Sequence, residues 1–168
     1  MRFRIEDAFD TDPETYWEAF FSDAYNEGLW PALDMGWELR KLEREGEGPD
    51  LVIRREQVLT PRRELPGFLR KFVQGALAYT ERNVFRARDS AMEVETIPSV
   101  LPDKLESRGV YRVEPAGPGR CLRIYEGEVR CTLPLVGGKV EKQLVSEIEE
   151  SYRKATDFTR RFLAERGA

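Results

Sequence analysis

Apolar and polar residues alternate through Phe3-Arg4-Ile5-Glu6-Asp7-Ala8-Phe9, the two-residue period of a strand with one face buried. Thr11-Asp12-Pro13-Glu14 then breaks the pattern. Thr11 with Glu14 reads as a capping box and Pro13 suits a first helical turn, so a helix is expected to run to about Phe21 with Tyr16, Trp17, Phe20 and Phe21 on its apolar face. Ser22-Asp23 offers a fresh N-cap for a second short helix through Tyr25 and Leu29, ended by Gly28 or Pro31.

From Asp34 to Leu133 the signal becomes a series of short β-type segments divided by Gly, Pro and Asp, as in an antiparallel meander. Strands are expected near 35–44, 50–59, 76–88, 91–98, 105–114 and 120–133, which with the first makes seven. In the last of them Leu122 and Ile124 share one parity while Val129, Cys131 and Leu133 share the other. Burying both sets requires a one-residue slip, and Gly127 is the natural bulge.

Pro134-Leu135-Val136-Gly137-Gly138 introduces a final segment, Lys139 to Arg166, that contains neither Gly nor Pro. At the helical period Val140, Leu144, Val145, Ile148, Tyr152, Ala155, Phe158, Phe162 and Leu163 fall within an arc of roughly 140°. Such a stripe needs a broad apolar partner, and the sheet is the only one the sequence offers. A coiled-coil dimer is the alternative, but the arc is wider than a two-position seam.

Composition narrows the chemistry. At 168 residues the chain suits one domain, 1–168. Apolar residues at 40% and charged residues at 35% make it globular and well solvated rather than disordered or membrane-embedded. No apolar run approaches the roughly 20 residues of a transmembrane helix, and Met1-Arg2-Phe3-Arg4-Ile5-Glu6 lacks the apolar stretch of a signal peptide, so a cytoplasmic location is expected. Cys121 and Cys131 fit a reducing compartment and have neither metal-knuckle nor redox spacing. The absence of histidine removes the commonest general base, Ser-His and Cys-His catalysis, and the usual catalytic zinc sites. Nothing in the sequence calls for a metal or cofactor. A net charge of −4 argues against a nucleic-acid partner, whose binding rests on clustered Lys and Arg.

The order strand, two short helices, six strands and long C-terminal helix resembles the START-like superfamily, also called SRPBCC, helix-grip or birch-pollen-allergen-like. The segment from Cys131 to Lys142 and the early Phe9-Asp10-Thr11-Asp12-Pro13-Glu14 look like those of an uncharacterised bacterial family within it. The resemblance implies an α+β helix-grip fold, in which a curved seven-stranded antiparallel sheet and the long helix enclose a cavity for a lipid, sterol, polyketide-like or other hydrophobic molecule. Some relatives resemble cyclases or aromatases and others bind proteins.

Strand parity points Trp37, Leu39, Ile53, Leu59, Leu77, Tyr79, Phe85, Tyr111, Val113 and Tyr125 toward the helix, where they would join Leu144, Ile148 and Tyr152 as cavity-lining candidates. Glu81 and Asn83 share the inward parity of Tyr79 and Phe85. They are candidates for a structural ion pair or hydrogen bond with Arg55 or Gln57, for ligand recognition, or for acid–base work. Between the third and fourth strands, cations including Arg70 and Lys71 mix with Leu65, Phe68, Leu69 and Phe72. This segment is expected to be a lid or a peripheral contact with an anionic membrane. The leading expectation is a binder or carrier of a small hydrophobic molecule; the alternatives are a polyketide cyclase or aromatase type of enzyme and a protein-interaction module with a filled core. Oligomeric state is not legible from the sequence.

Overall fold

The computed structural model describes residues 1–65, 67–71 and 76–167. Along the chain lie β1 (Arg2–Phe9), α1 (Pro13–Phe20), α2 (Asp23–Ala32), β2 (Met35–Glu45), β3 (Val52–Pro61), α3 (Gly67–Arg70), β4 (Tyr79–Arg86), β5 (Ala91–Pro98), β6 (Leu105–Pro115), β7 (Cys121–Cys131) and α4 (Gly137–Arg166). The strands form one antiparallel sheet in the order β1-β7-β6-β5-β4-β3-β2, so the first and last strands pair and β1 and β2 are the edges. The fold is α+β and helix-grip, as the element order implied. Among the described residues no helix is long and apolar enough to cross a membrane.

Local chemistry differs from the sequence reading at four places. The cap of α1 is Asp12, not Thr11: its carboxylate accepts from the Thr15 backbone N–H at 2.8 Å and from the Thr15 hydroxyl at 3.0 Å. Ser22 caps α2 as expected, but neither Gly28 nor Pro31 ends that helix. Gly28 instead lets α2 approach α4, since a Cβ there would sit 2.8 Å from the Phe158 ring. β4 begins at Tyr79 and stops at Arg86, where a single 3-10 turn over Ala87–Asp89 takes over; part of the expected 76–88 strand is therefore turn.

The fourth difference has consequences for the site. Gly127 is no bulge: β7 pairs in unbroken register with both β1 and β6. Its glycine is there for close approach, because a Cβ would fall 2.5 Å from the Phe3 ring and 2.7 Å from the Arg108 carbonyl oxygen. Among the described residues the register shift of the sheet lies in β2, between Leu39 and Lys41. With β7 regular, Cys121, Arg123, Tyr125, Gly127 and Val129 share a face, and Leu122 and Ile124 belong to the other.

At about 1.5 Å per residue the 30 residues of α4 span roughly 45 Å. The helix buries Val140, Val145, Ala155, Thr156 and Thr159, with Leu144, Ile148, Tyr152, Phe158 and Phe162 half-buried. Its main neighbours are β7, β1 and α2, so it covers one side of the sheet rather than the whole width. The rest of the concave face is covered by α1 and α2. Trp17 and Phe21 pack on Phe85 with ring centroids 4.5 and 5.4 Å away, and Tyr16, Phe9, Ile53, Met92 and Val113 complete that part of the core. Trp17 is held by a hydrogen bond from its indole N–H to Ser90 Oγ at 2.9 Å, and Ser90 in turn donates to the Val113 carbonyl. A second, smaller core joins Tyr25, Leu29 and Leu33 of α2 and its exit to Ala155, Phe158 and Phe162.

Candidate functional site

Between the concave face and α4 lies a cavity of about 220 Å³. Its walls come from every layer: Phe20, Leu29 and Leu33 from the α1–α2 region, Leu59, Tyr79, Val94 and Tyr111 from the sheet, and Leu144, Ile148 and Tyr152 from α4. Arg63 and Glu64, both exposed, mark where it meets the surface. An engineered apolar cavity of about 150 Å³ accepts benzene, so this space suits a molecule somewhat larger than one aromatic ring.

Two polar groups of the sheet interrupt the apolar walls. At the first, β3 and β4 place Arg55 opposite Asn83 and Gln57 opposite Glu81. Arg55 Nε donates to Asn83 Oδ1 at 2.9 Å and Nη1 to Asn26 Oδ1 at 3.4 Å, with Nη2 3.9 Å from Glu81 Oε1. The same Glu81 oxygen accepts from Gln57 Nε2 at 3.1 Å and Asn83 Nδ2 at 3.0 Å, and Gln57 Oε1 accepts from the Trp37 indole at 2.9 Å. Burial lowers the pKa of Arg55 and the charge of Glu81 opposes that, leaving an ion pair in which Glu81 Oε1 takes all three contacts. The Arg55 guanidinium also lies over the Phe20 and Phe21 rings at 5.0 and 5.2 Å.

The second group is centred on Arg123, which is 1% exposed. It binds Asp7 and Thr156 and faces the rings of Phe9, Tyr152 and Tyr111. Burial would lower its pKa, but the oxygens of Tyr111, Tyr16 and Tyr152 and the Asp7 carboxylate outweigh this and keep it charged. The Tyr16 and Tyr111 hydroxyls bond to each other beside it. Burial raises the pKa of Tyr79 to about 12 and raises those of Tyr111, Tyr125 and Tyr152 further, so at neutral pH these phenols are hydrogen-bonding groups and not bases. Burial likewise pushes the Cys121 thiol up to about 11. Among the described residues no three His, Cys, Asp or Glu side chains gather in a way that could hold a metal ion.

Of the sequence candidates, Leu59, Leu77, Tyr79, Glu81, Tyr111, Tyr125, Leu144, Ile148 and Tyr152 border the cavity, and Leu65 joins them. Six do not, Val113 among them, which is buried in the core. Ile53 and Phe85 share the inward face but lie under the Trp17 and Phe21 plug. Asn83 is 2% exposed, held between Arg55 and Glu81. Trp37 is bound to Gln57, and Leu39 is 37% exposed, because both belong to the edge strand β2, away from α4. In the expected lid Leu69 is buried, Phe68 lies under the Lys139 ammonium at 4.3 Å, and Arg70 donates to the Leu65 carbonyl and to Glu64. Lys71 is exposed, and Phe72 lies outside the described residues. Sequence reasoning missed Arg123, because the supposed slip at Gly127 turned it outward; unbroken alternation from Cys121 to Val129 was the available signal. It also missed Asn26, Trp30 and Leu33, whose part depends on how α2 docks.

A concave seven-stranded sheet gripped by a long C-terminal helix around a cavity defines the START-like, helix-grip class. Solved structures agree. The Zhui aromatase/cyclase from Streptomyces sp. R1128 superposes with a TM-score of 0.64 at 10% identity, covering 100% of this chain and 96% of that one. Norcoclaurine synthase from Thalictrum flavum, in complex with dopamine and hydroxybenzaldehyde, gives 0.61 at 16% identity, covering 98% and 87%. A START superfamily protein from Mycobacterium smegmatis gives 0.59 at 17% identity, covering 96% and 98%. The chain itself belongs to the family described as protein of unknown function DUF2505, whose model matches residues 4–163. No curated protein matches it in sequence.

Proposed function

We propose that the protein binds or carries a small hydrophobic molecule, lipid-, sterol- or polyketide-like, between the sheet and α4. The observation that carries this reading is the open space of about 220 Å³ on a concave face whose neighbouring region is tightly filled. The phenols of Tyr79, Tyr125 and Tyr152 border it and make no hydrogen bond to another described residue, which gives a ligand polar atoms to orient against. The similar folds of an aromatase/cyclase and of norcoclaurine synthase, the latter in complex with dopamine and hydroxybenzaldehyde, support an organic ligand in this space. A binding role is favoured over catalysis because Glu81, the carboxylate of the first polar group, is held through Oε1 by Gln57, Asn83 and Arg55. Leu65 in the cavity wall and the Arg70 contacts favour a lid over a membrane anchor for the 65–71 segment.

Native mass spectrometry of freshly purified protein, paired with titration of a hydrophobic fluorescent dye, tests the reading. Co-purified small molecules or saturable dye binding are expected, and Ile148→Trp should abolish them while far-ultraviolet dichroism stays unchanged. No adduct and no dye binding, or dye binding indifferent to Ile148→Trp, would overturn it.

A further inference from the structure

The two buried guanidiniums that border the cavity are not equivalent. All three nitrogens of Arg55 meet an acceptor: Asn83 and Asn26 through hydrogen bonds, Glu81 through the ion pair. Arg123 donates through Nη2 to Asp7 Oδ2 and Thr156 Oγ1, each at 2.5 Å, and the hydroxyls of Tyr16 and Tyr111 also bond its guanidinium. Its Nε is buried and has no hydrogen-bond partner among the described residues. Three rings also face it: Phe9 at 5.0 Å, Tyr152 at 5.1 Å and Tyr111 at 5.9 Å.

A guanidinium presents five N–H donors, and a buried donor without an acceptor is costly, the more so when charged. Cation–π contacts soften that cost but supply no acceptor. Asp7 offsets the charge only in part, because its side chain is 23% exposed and therefore solvated, whereas that of Arg123 is 1% exposed. The inner wall thus holds a charged guanidinium with one buried donor left unpaired, at the edge of the cavity. A structural strut joining β1, β7 and α4 needs only the two Nη2 bonds.

We propose that the molecule held in this cavity carries a carboxylate, and that Arg123 receives it, with the apolar body lying among Tyr125, Val129, Leu144 and Ile148. The inference rests on the ligand-binding reading and adds the chemical class. A carboxylate suits the position better than a neutral oxygen, because a charge-assisted hydrogen bond is roughly twice as strong as a neutral one and the surroundings are of low polarity. The bonded hydroxyls of Tyr16 and Tyr111 stand next to Arg123 and add donor capacity. The three carboxylates that line the cavity, Glu64, Glu81 and Glu147, have their own donors in Arg70, in Gln57 and Asn83, and in Gln143 respectively.

The test is calorimetric titration of the full chain at pH 7 with 2-naphthoate and with methyl 2-naphthoate, which have the same ring system and differ in charge. The acid should bind roughly tenfold or more tightly than the ester. Arg123→Gln should erase that preference. Because this variant strands Asp7 and can unfold, Asp7→Asn serves as the second arm: freeing Arg123 from its counter-charge should widen the preference for the acid. Equal affinity of the parent protein for acid and ester overturns the proposal and leaves hydrophobic binding standing. A preference unchanged in a folded Arg123→Gln, or narrowed in Asp7→Asn, also overturns it. Failure of both probes to bind removes it together with the reading on which it rests.

Discussion

The two halves of the concave face use the same strands and the same inward parity, yet one is core and the other is cavity. Ile53, Phe85 and Val113 belong to the filled half with Trp17 and Phe21; Tyr79, Val94, Tyr125 and Val129 border the cavity together with Leu144 and Ile148 of α4. Alternation along a strand says which side chains turn inward. What they meet there is decided by the helices: α1 and its C-cap Phe21 bring aromatic rings to one half, while α4 crosses the other carrying aliphatic side chains and Tyr152. Arg55 stands at the boundary, stacked on Phe20 and Phe21 and bordering the cavity.

The comparison can be broken by mutation. Trp17→Ala removes the centre of the plug and should destabilise the protein by about 3–5 kcal/mol in urea unfolding. Leu144→Ala on the open half should cost much less, about 1 kcal/mol, because atoms that face a void have fewer contacts to lose. Equal costs would mean that the halves are packed alike. Next in size, Arg55→Met should cost about 3 kcal/mol by leaving the Glu81 carboxylate with neutral partners only, and Arg55→Met combined with Glu81→Gln should recover much of that loss.

Alkali gives a smaller and graded effect. All six tyrosines have pKa values raised by burial, and Tyr79, on the open half, is raised from 10.0 to about 12. The protonated phenol is favoured in the folded state, so this stability is complete below pH 10 and is lost as pH rises through the folded values, at about 1.4 kcal/mol per pH unit for each group. Ultraviolet titration of the native protein should show little phenolate near pH 10, followed by ionisation coupled to unfolding. Half-maximal ionisation near pH 10 in folded protein would contradict this burial. The smallest effect is expected from Asp12→Ala, about 1 kcal/mol through loss of the cap on the helix that carries the plug. Hydrogen bonds from Thr15 hold the Asp12 carboxyl below its ordinary pKa, so that contribution is present above the ordinary carboxylate range and fades as pH falls through the lowered value.

Most of the fold was legible because its signals are local. The Ser22 cap, the turn residues between strands and the α4 stripe each follow from neighbours in sequence. The site was legible in part. Tyr79, Glu81, Leu144 and Ile148 needed only parity or the helical period. Arg123 needed the register of β7, which β1 and β6 impose from both sides and which overrode the apolar appearance of Leu122 and Ile124. Ile53 and Phe85 were placed on the correct face, but their assignment to plug or cavity depends on where α1 lands, a long-range matter that no spacing within β3 or β4 encodes. Leu39 lies at the register shift of an edge strand, where alternation no longer guarantees cover.

Methyl NMR of the parent protein titrated with 2-naphthoate tests the central claim most directly. The account predicts saturable shifts at cavity-wall methyls, those of Leu59, Val94, Val129, Leu144 and Ile148 among them, with those of Ile53 and Val113 under the plug unmoved. Saturable shifts at Ile53 and Val113, or none on either half, would contradict it.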